Sequence, residues 1–303
     1  MSVEKYRNIN HVRESQLHVF PEHSKFLERR LAGLKEGELQ YLDELAGHVI
    51  TLTGDNLETY ANDYAWLCRE QLDEELFFRR NGRYRLSTFR DAYEQVYSNK
   101  EYMTRYMNGL LMTQLWWSNH TAVMQYYRSE FLAKNADGYT HLEIGPGHGL
   151  FLYFAAADKR AGSVTGWDIS EASIALTQEA LLKLGLDSLP KLELQDFFKA
   201  PMERFDSVVF SEVLEHMENP VEALQFIRPL LTENGRLFLN MPINSPAPDH
   251  LFNMGSPAEL QAFIERVGFL VESSSFLPAT NQTLEMSLKK KMTVSCVFVL
   301  RKA

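Results

Sequence analysis

Three carboxylates stand at matched places in the second half of the chain: Glu143 in HLEIGPGHG, Asp168 in TGWDIS and Asp196 in LQDFF. Each closes a short β-rich run, so a parallel sheet would bring all three to one end. Glycines 145, 147 and 149 follow the first acid. They allow a sharp turn and a close approach of backbone to a ligand. A helix beginning just behind them would offer unpaired N–H groups to an anionic group. The spacing is GxGxG, not the GxGxxG of dinucleotide sites. Asp168 lies where an acid holds ribose hydroxyls. Asp196 beside Phe197 offers an acceptor for an amino group and a ring for stacking. Three acids around one pocket repel a pyrophosphate and suit a cationic ligand.

Two histidines stand just after the fourth and fifth strands. His216 lies in the EHM run after the fourth strand, and His250 in NSPAPDHLF after the fifth. Imidazole titrates near neutrality, so either could take a proton; the competing readings are a helix cap for Glu215-His216 and an exposed loop for His250. Asp249-His250 with His216 or His120 could also ligate a metal, but spacing does not supply the geometry and no metal site is assigned. Upstream, the segment 102–131 is rich in Tyr, Trp and Met. It reads as core or dimer interface, or as an aromatic acceptor pocket built from Trp117, His120, Tyr126 and Tyr127. Arginines 79, 80, 83, 85 and 90 read as solvated surface, or as a site for an acidic acceptor.

The elements that must hold these residues change character near residue 135. Before it, helical periodicity dominates. Leu57, Tyr60, Ala61, Tyr64, Leu67 and Cys68 share one face at 3.6 spacing, Asp55 is a candidate cap, and Asn81-Gly82 reads as a turn or short hairpin. After it, strands near 140–144, up to Asp168, 191–195, up to Ser211, and GRLFLN alternate with helices. Ser170, Asn219-Pro220 and Ser256-Pro257 are helix starts; Gly185 and Gly268 are stops. Two last strands, near 269–276 and 292–300, are expected to pair antiparallel at the sheet edge. The expected organisation is an α-helical cap over residues 1–135, for substrate or dimer contacts, and a doubly wound seven-stranded α/β sheet over 136–303.

The whole sequence narrows the function class. It has 303 residues and a formal net charge of −9, with most of the excess acid after residue 135. That disfavours a dedicated nucleic-acid binder. Only Cys68 and Cys296 are present, which fits a reducing cytoplasm. The polar N-terminus does not read as a signal peptide, and no apolar run is long enough to span a membrane.

LEIGPGHG, GWDIS, LQDFF and FSEVLEHM resemble the successive motifs of class I S-adenosylmethionine-dependent methyltransferases, over residues 140–245. EVLEHMENP is most similar to the ubiquinone-biosynthesis type of core and its small-molecule relatives. The resemblance implies S-adenosyl-L-methionine as cofactor and a Rossmann-like methyltransferase sheet. Glu143 and the backbone of Gly145 and Gly147 would hold the methionine end, and Asp168 the ribose, with Ile169 against the adenine. Asp196 and Phe197 would meet the adenine edge and face; Ser211 and Glu212 would line the sulfonium side. The expected function is methyl transfer to oxygen, nitrogen or carbon of a small metabolite in specialised biosynthesis, in the cytoplasm, without DNA or membrane. A protein or transfer-RNA methyltransferase and a non-catalytic cofactor-binding partner subunit are the rivals; no Asn/Asp-Pro-Pro-Tyr run follows strand four.

Overall fold

A computed structural model describes residues 5–186, 188–200 and 203–303. Seven strands form one sheet in the order β3-β2-β1-β4-β5-β7-β6. They are β1 (Tyr139–Ile144), β2 (Ala161–Asp168), β3 (Lys191–Leu194), β4 (Phe205–Ser211), β5 (Leu231–Ile243), β6 (Phe269–Pro278) and β7 (Val294–Lys302). The first five are parallel, and β7 inserts antiparallel between β5 and β6. The order reverses between β1 and β4, so a crevice opens beyond their C-terminal ends.

The helical part comprises α1 (Arg7–Val19), α2 (Ser24–Ala32), α3 (Glu36–Thr53), α4 (Leu57–Asn81), the short α5 (Phe89–Ala92), α6 (Lys100–Trp116) and α7 (Ser118–Tyr126). The sheet carries α8 (Leu150–Ala156), α9 (Glu171–Lys183), α10 (Pro220–Ile227), α11 (Pro257–Arg266) and α12 (Leu284–Lys289). Side-chain oxygens of Ser170, Asn219 and Ser256 cap α9, α10 and α11 as their sequences predict. Two local expectations change. Gly82 turns the chain as the left-handed C-cap of α4, which keeps the turn reading of Asn81-Gly82 and sets aside the hairpin. The side chain of Asp55 does not cap α4, which starts from a 3-10 turn at Gly54–Asn56.

Strand alternation divides the core. Val209, Phe238, Val297 and Val299 pack with the helices of the first part and with α8. Val208, Phe210, Leu237, Leu239, Cys296 and Phe298 pack with α10 and α11. The first half of the chain therefore covers one face of the sheet. Its last residues are fastened down: Arg160 donates to the carbonyls of Leu132, Ala133 and Asn135, and buried Asn119 donates to Ser295 of β7 at 3.0 Å. Gly109 lets α6 lie directly on α4, since a Cβ there would sit 2.9 Å from the Cβ of Leu67.

Candidate active site

The glycine turn joins β1 to α8. Gly145, Gly147 and Gly149 all have positive φ, at 73°, 50° and 78°, a region that side chains resist. Glu143 is 4% exposed, and its Oε2 has no hydrogen-bond partner. Burial alone raises its pKa well above the usual carboxylate range. Asp168, at the end of β2, accepts from the Ser170 N–H at 2.9 Å and the Ser173 hydroxyl at 2.6 Å. Ile169 beside it is exposed. Asp196 accepts from the Phe198 N–H at 3.0 Å and pairs with Lys199. These acids and the turn occupy the ends of β1, β2 and β3, as the sequence predicts.

Phe197 needs correction as a stacking ring. It is buried in the core beneath the sheet, one face against Phe198 at 4.3 Å and its surroundings closed by Phe210. Asp196 caps a 3-10 turn at Phe197–Lys199, and that turn drives the ring inward.

The helical part leans over this end. A Cβ on Gly147 would lie 3.6 Å from Met107 Cε of α6, and a groove lined by Leu52, Tyr60, Met107, Gly147, His148 and Lys183 opens beside the turn. His120 is held by the Thr113 hydroxyl at 2.9 Å, with Trp117 edge-on to its ring; burial first, then nearby His148, pushes its pKa down to about 3. Trp117 and His120 thus pack where α6 meets α7. Tyr126 and Tyr127 are instead engaged in packing and hydrogen bonds. The Tyr126 hydroxyl donates to Ser273 on the edge strand β6, and Tyr127 is fully buried, donating to the Phe151 carbonyl. Two adjacent residues of a helical turn point apart, and both faces here are packed.

A second cluster sits past β4 and β5. Glu212 and Asn244, neither a glycine, have φ of 54° and 48° just beyond the two strand ends; such strain clusters at functional sites. Asn240 donates to Ser211 Oγ at 3.1 Å and to Glu212 Oε1 at 2.7 Å. A 3-10 turn then carries Leu214–His216. The carbonyl of Glu215 accepts the N–H groups of Leu251 and Phe252, which pins the His250 loop to this turn. His216 and His250 meet edge to face with ring centroids 4.9 Å apart. Asp249 is 3% exposed. It accepts from Tyr97 and Tyr106, each at 3.1 Å, and lies 3.5 Å from His216 Nδ1. Burial pushes its carboxyl up, but His216, His250 and the two phenols outweigh that and hold it below its ordinary value.

The tautomers follow from these contacts. His250 Nδ1 lies 2.6 Å from the Ser245 carbonyl, and His216 Nδ1 lies 3.1 Å from the Asp249 carbonyl. A carbonyl only accepts, so both Nδ1 atoms carry the proton and both Nε2 lone pairs are free. Burial pushes His250 down to about 4, so it is neutral at pH 7. Residues 71–97 latch over the cluster: Gln71 donates to the Pro246 carbonyl, the Phe89 N–H to Glu218, and the Tyr84 hydroxyl links Ser245 to Asn253. No spacing pattern links Tyr97 and Tyr106 to this cluster; Glu215, read from the sequence as a cap, is instead wholly buried beside the Glu212 carboxyl.

The family model described as "Methyltransferase domain" matches residues 116–274, just over half of the chain. The chain belongs to that methyltransferase family. It is similar to a ubiquinone biosynthesis O-methyltransferase of Histophilus somni, 28% identical over 121 residues, covering 37% of this chain and 50% of that protein. A counterpart in Dechloromonas aromatica is 30% identical over 112 residues, covering 37% and 47%. The methyltransferase thus spans about half the length of the curated relatives it matches. Its fold is shared with mitomycin 7-O-methyltransferase MmcR at 16% identity and a TM-score of 0.56, over 89% of this chain and 76% of that one. It is also shared with the complex of the Haloferax volcanii Trm112 activator and its putative methyltransferase, at 14% identity and a TM-score of 0.52, over 67% and 98%. Among the described residues no helix is long and apolar enough to cross a membrane.

Proposed function

We propose that this methyltransferase moves the methyl group of S-adenosyl-L-methionine to a hydroxyl oxygen of a small metabolite in specialised biosynthesis. The observation that carries the reading is Glu143, a buried carboxylate with an unpartnered oxygen beneath a glycine turn. The methionine ammonium is the cation it would take, with the Gly145 and Gly147 backbone against the same end. Asp168 would hold the ribose, Ile169 and Asp196 would meet the adenine, and Ser211 and Glu212 would face the sulfonium. Oxygen is favoured as acceptor because the curated relatives are O-methyltransferases.

The sulfonium leaving group is already activated, so the protein's work is positioning and proton removal. His216 suits the latter. Asp249 fixes its Nδ1–H, and its Nε2 is free to take the hydroxyl proton. His250 beside it would orient the acceptor. The helical part would close over both ligands through Met107 and the Tyr84–Tyr97 segment.

Calorimetric titration with S-adenosylmethionine, S-adenosylhomocysteine and NAD tests the cofactor. Micromolar binding of the first two and none of NAD is expected; the reverse pattern overturns the reading. With an acceptor found by mass spectrometry, His250→Ala should lower kcat by about 100-fold or more, as for a lost positioning or proton-transfer group, while S-adenosylhomocysteine affinity stays within a few-fold. Equal loss of both would make His250 structural.

A further inference from the structure

We propose that a cleft between α2, α3, α7 and the end of β6 is a second ligand site, in which Arg30 takes the carboxylate of a small molecule with an apolar or aromatic body. The cleft holds about 190 Å³, and none of the residues assigned to the cofactor or to the histidine cluster lines it. Arg30 lines it at only 6% exposure. Its Nη2 donates to Thr121 Oγ1 at 3.0 Å, and its Nε has no hydrogen-bond partner. Thr121 gives its own proton to the Gln114 carbonyl at 2.7 Å, so toward Arg30 it is a fixed acceptor. Among the described residues no ion pair engages the guanidinium. Glu38 of α3 shares the cleft, but it is exposed, and its Oε2 accepts the Lys35 N–H at 2.8 Å to close the cap of that helix. Burial pushes Arg30 down to about 10, with Glu38 opposing, so the side chain is still charged at pH 7. A charge taken out of water is costly unless something pairs with it, and the guanidinium fork matches a carboxylate.

The walls set the rest of the ligand. Leu34, Ala122, Leu277, Pro278 and the Tyr41 ring give apolar surface around the one buried charge. Apolar walls with few polar groups are the usual make-up of a small-molecule site. A cavity of ~150 Å³ admits benzene, so there is room for an aromatic ring beside the carboxylate. The other polar neighbours are already spent. The Ser118 N–H donates to Thr280 Oγ1 at 2.7 Å, and Asn119 to Ser295 at 3.0 Å. A single cation with Glu38 at its side suits a monoanion better than a doubly charged phosphate.

The cleft also straddles the two halves of the chain. Asn281, just past β6, donates to the Phe26 carbonyl of α2 at 3.2 Å. A ligand there would touch three helices on one side and the edge strand on the other, and so tighten that joint. By its place it is an effector, not the methyl acceptor.

The test titrates the full chain with benzoate, with neutral benzamide and inorganic phosphate as controls. Binding is read by ligand-observed nuclear magnetic resonance and thermal melting, and bromine scattering from 4-bromobenzoate in crystals locates the probe. Saturable benzoate binding at about millimolar affinity is expected of so small a probe, with a rising melting temperature and a bromine peak beside Arg30. Benzamide and phosphate should do neither. Arg30→Met should weaken benzoate by about 10- to 100-fold, the usual worth of a charged hydrogen bond, with S-adenosylhomocysteine affinity held within a few-fold. Ala122→Leu narrows the cleft and leaves Arg30 in place; it should weaken benzoate too, and it decides the matter if Arg30→Met does not fold. No saturable binding, equal binding to the variants or of benzamide, a bromine peak only elsewhere, or displacement of benzoate by S-adenosylhomocysteine overturns the site. Phosphate binding in place of benzoate overturns the carboxylate assignment.

Discussion

At the scale of single residues, Glu143 joins ligand binding to stability. Its pKa is raised in the folded protein by burial, from an ordinary 4.5. The folded state thus holds a proton that the unfolded chain has lost. Stability that this proton protects is full below about 4.5 and falls as pH rises toward the folded value. Glu143→Gln removes the dependence. The variant should melt higher than the unaltered protein at pH 8, by a few degrees, with the difference closing toward pH 4.5. The same change should weaken S-adenosylhomocysteine by about 10- to 100-fold, the usual worth of a charged hydrogen bond. Melting curves across pH and calorimetry at pH 7.5 read the two effects separately. A variant that binds normally would mean that the cation of the ligand lies elsewhere.

At the scale of elements, the turn between β1 and α8 needs its glycines for two reasons. Gly145 has a φ of 73°, and a Cβ there would meet Val213 Cγ2 at 3.1 Å. Left-handed backbone costs a side chain about 1–2 kcal/mol before any clash. Gly145→Ala should therefore lower the melting temperature by about 2–3 °C and disturb Val213, which leads into the Glu215-His216 turn. Scanning calorimetry with parallel ligand titration checks both. An unshifted melt would show that the turn relaxes freely. The caps at Ser170, Asn219 and Ser256 were legible because capping is a local matter of one oxygen and the next turn. The inward rotation of Phe197 was not. The sequence shows an acid and a ring side by side, and only the 3-10 turn decides which of them faces the ligand.

At the scale of the whole molecule, the two halves share a core. Tyr127 and Phe131 pack on Phe238 of β5, with Phe151 of α8 in the same cluster. A fragment of residues 136–303 would bare one apolar face of the sheet. It should lack a cooperative melting transition and bind a hydrophobic dye, rather than survive as a free cofactor domain. Sharp melting with retained S-adenosylhomocysteine binding would show instead that the helical part is a detachable cap. The shared core also explains why the aromatic segment 102–131 divides as it does. Tyr106 reaches Asp249, Met107 covers the glycine turn, and Tyr126 and Tyr127 are spent on packing.

The amino-acid sequence alone determined what depends on neighbours in the chain: the succession of strands and helices, their caps, the glycine turn, and the acids that close β1, β2 and β3. Each is set by backbone preference or by a side chain one turn away. The tertiary structure decided what depends on segments far apart. Tyr97, Tyr106, Glu215, His216 and His250 come from the helical part and from two strand ends, and no periodicity links them. They meet because the helical part is packed across one face of the sheet and its residues 71–97 are latched to the loops after β4 and β5. Burial by that packing turns Glu215 from a plausible helix cap into a wholly buried carboxyl group beside Glu212.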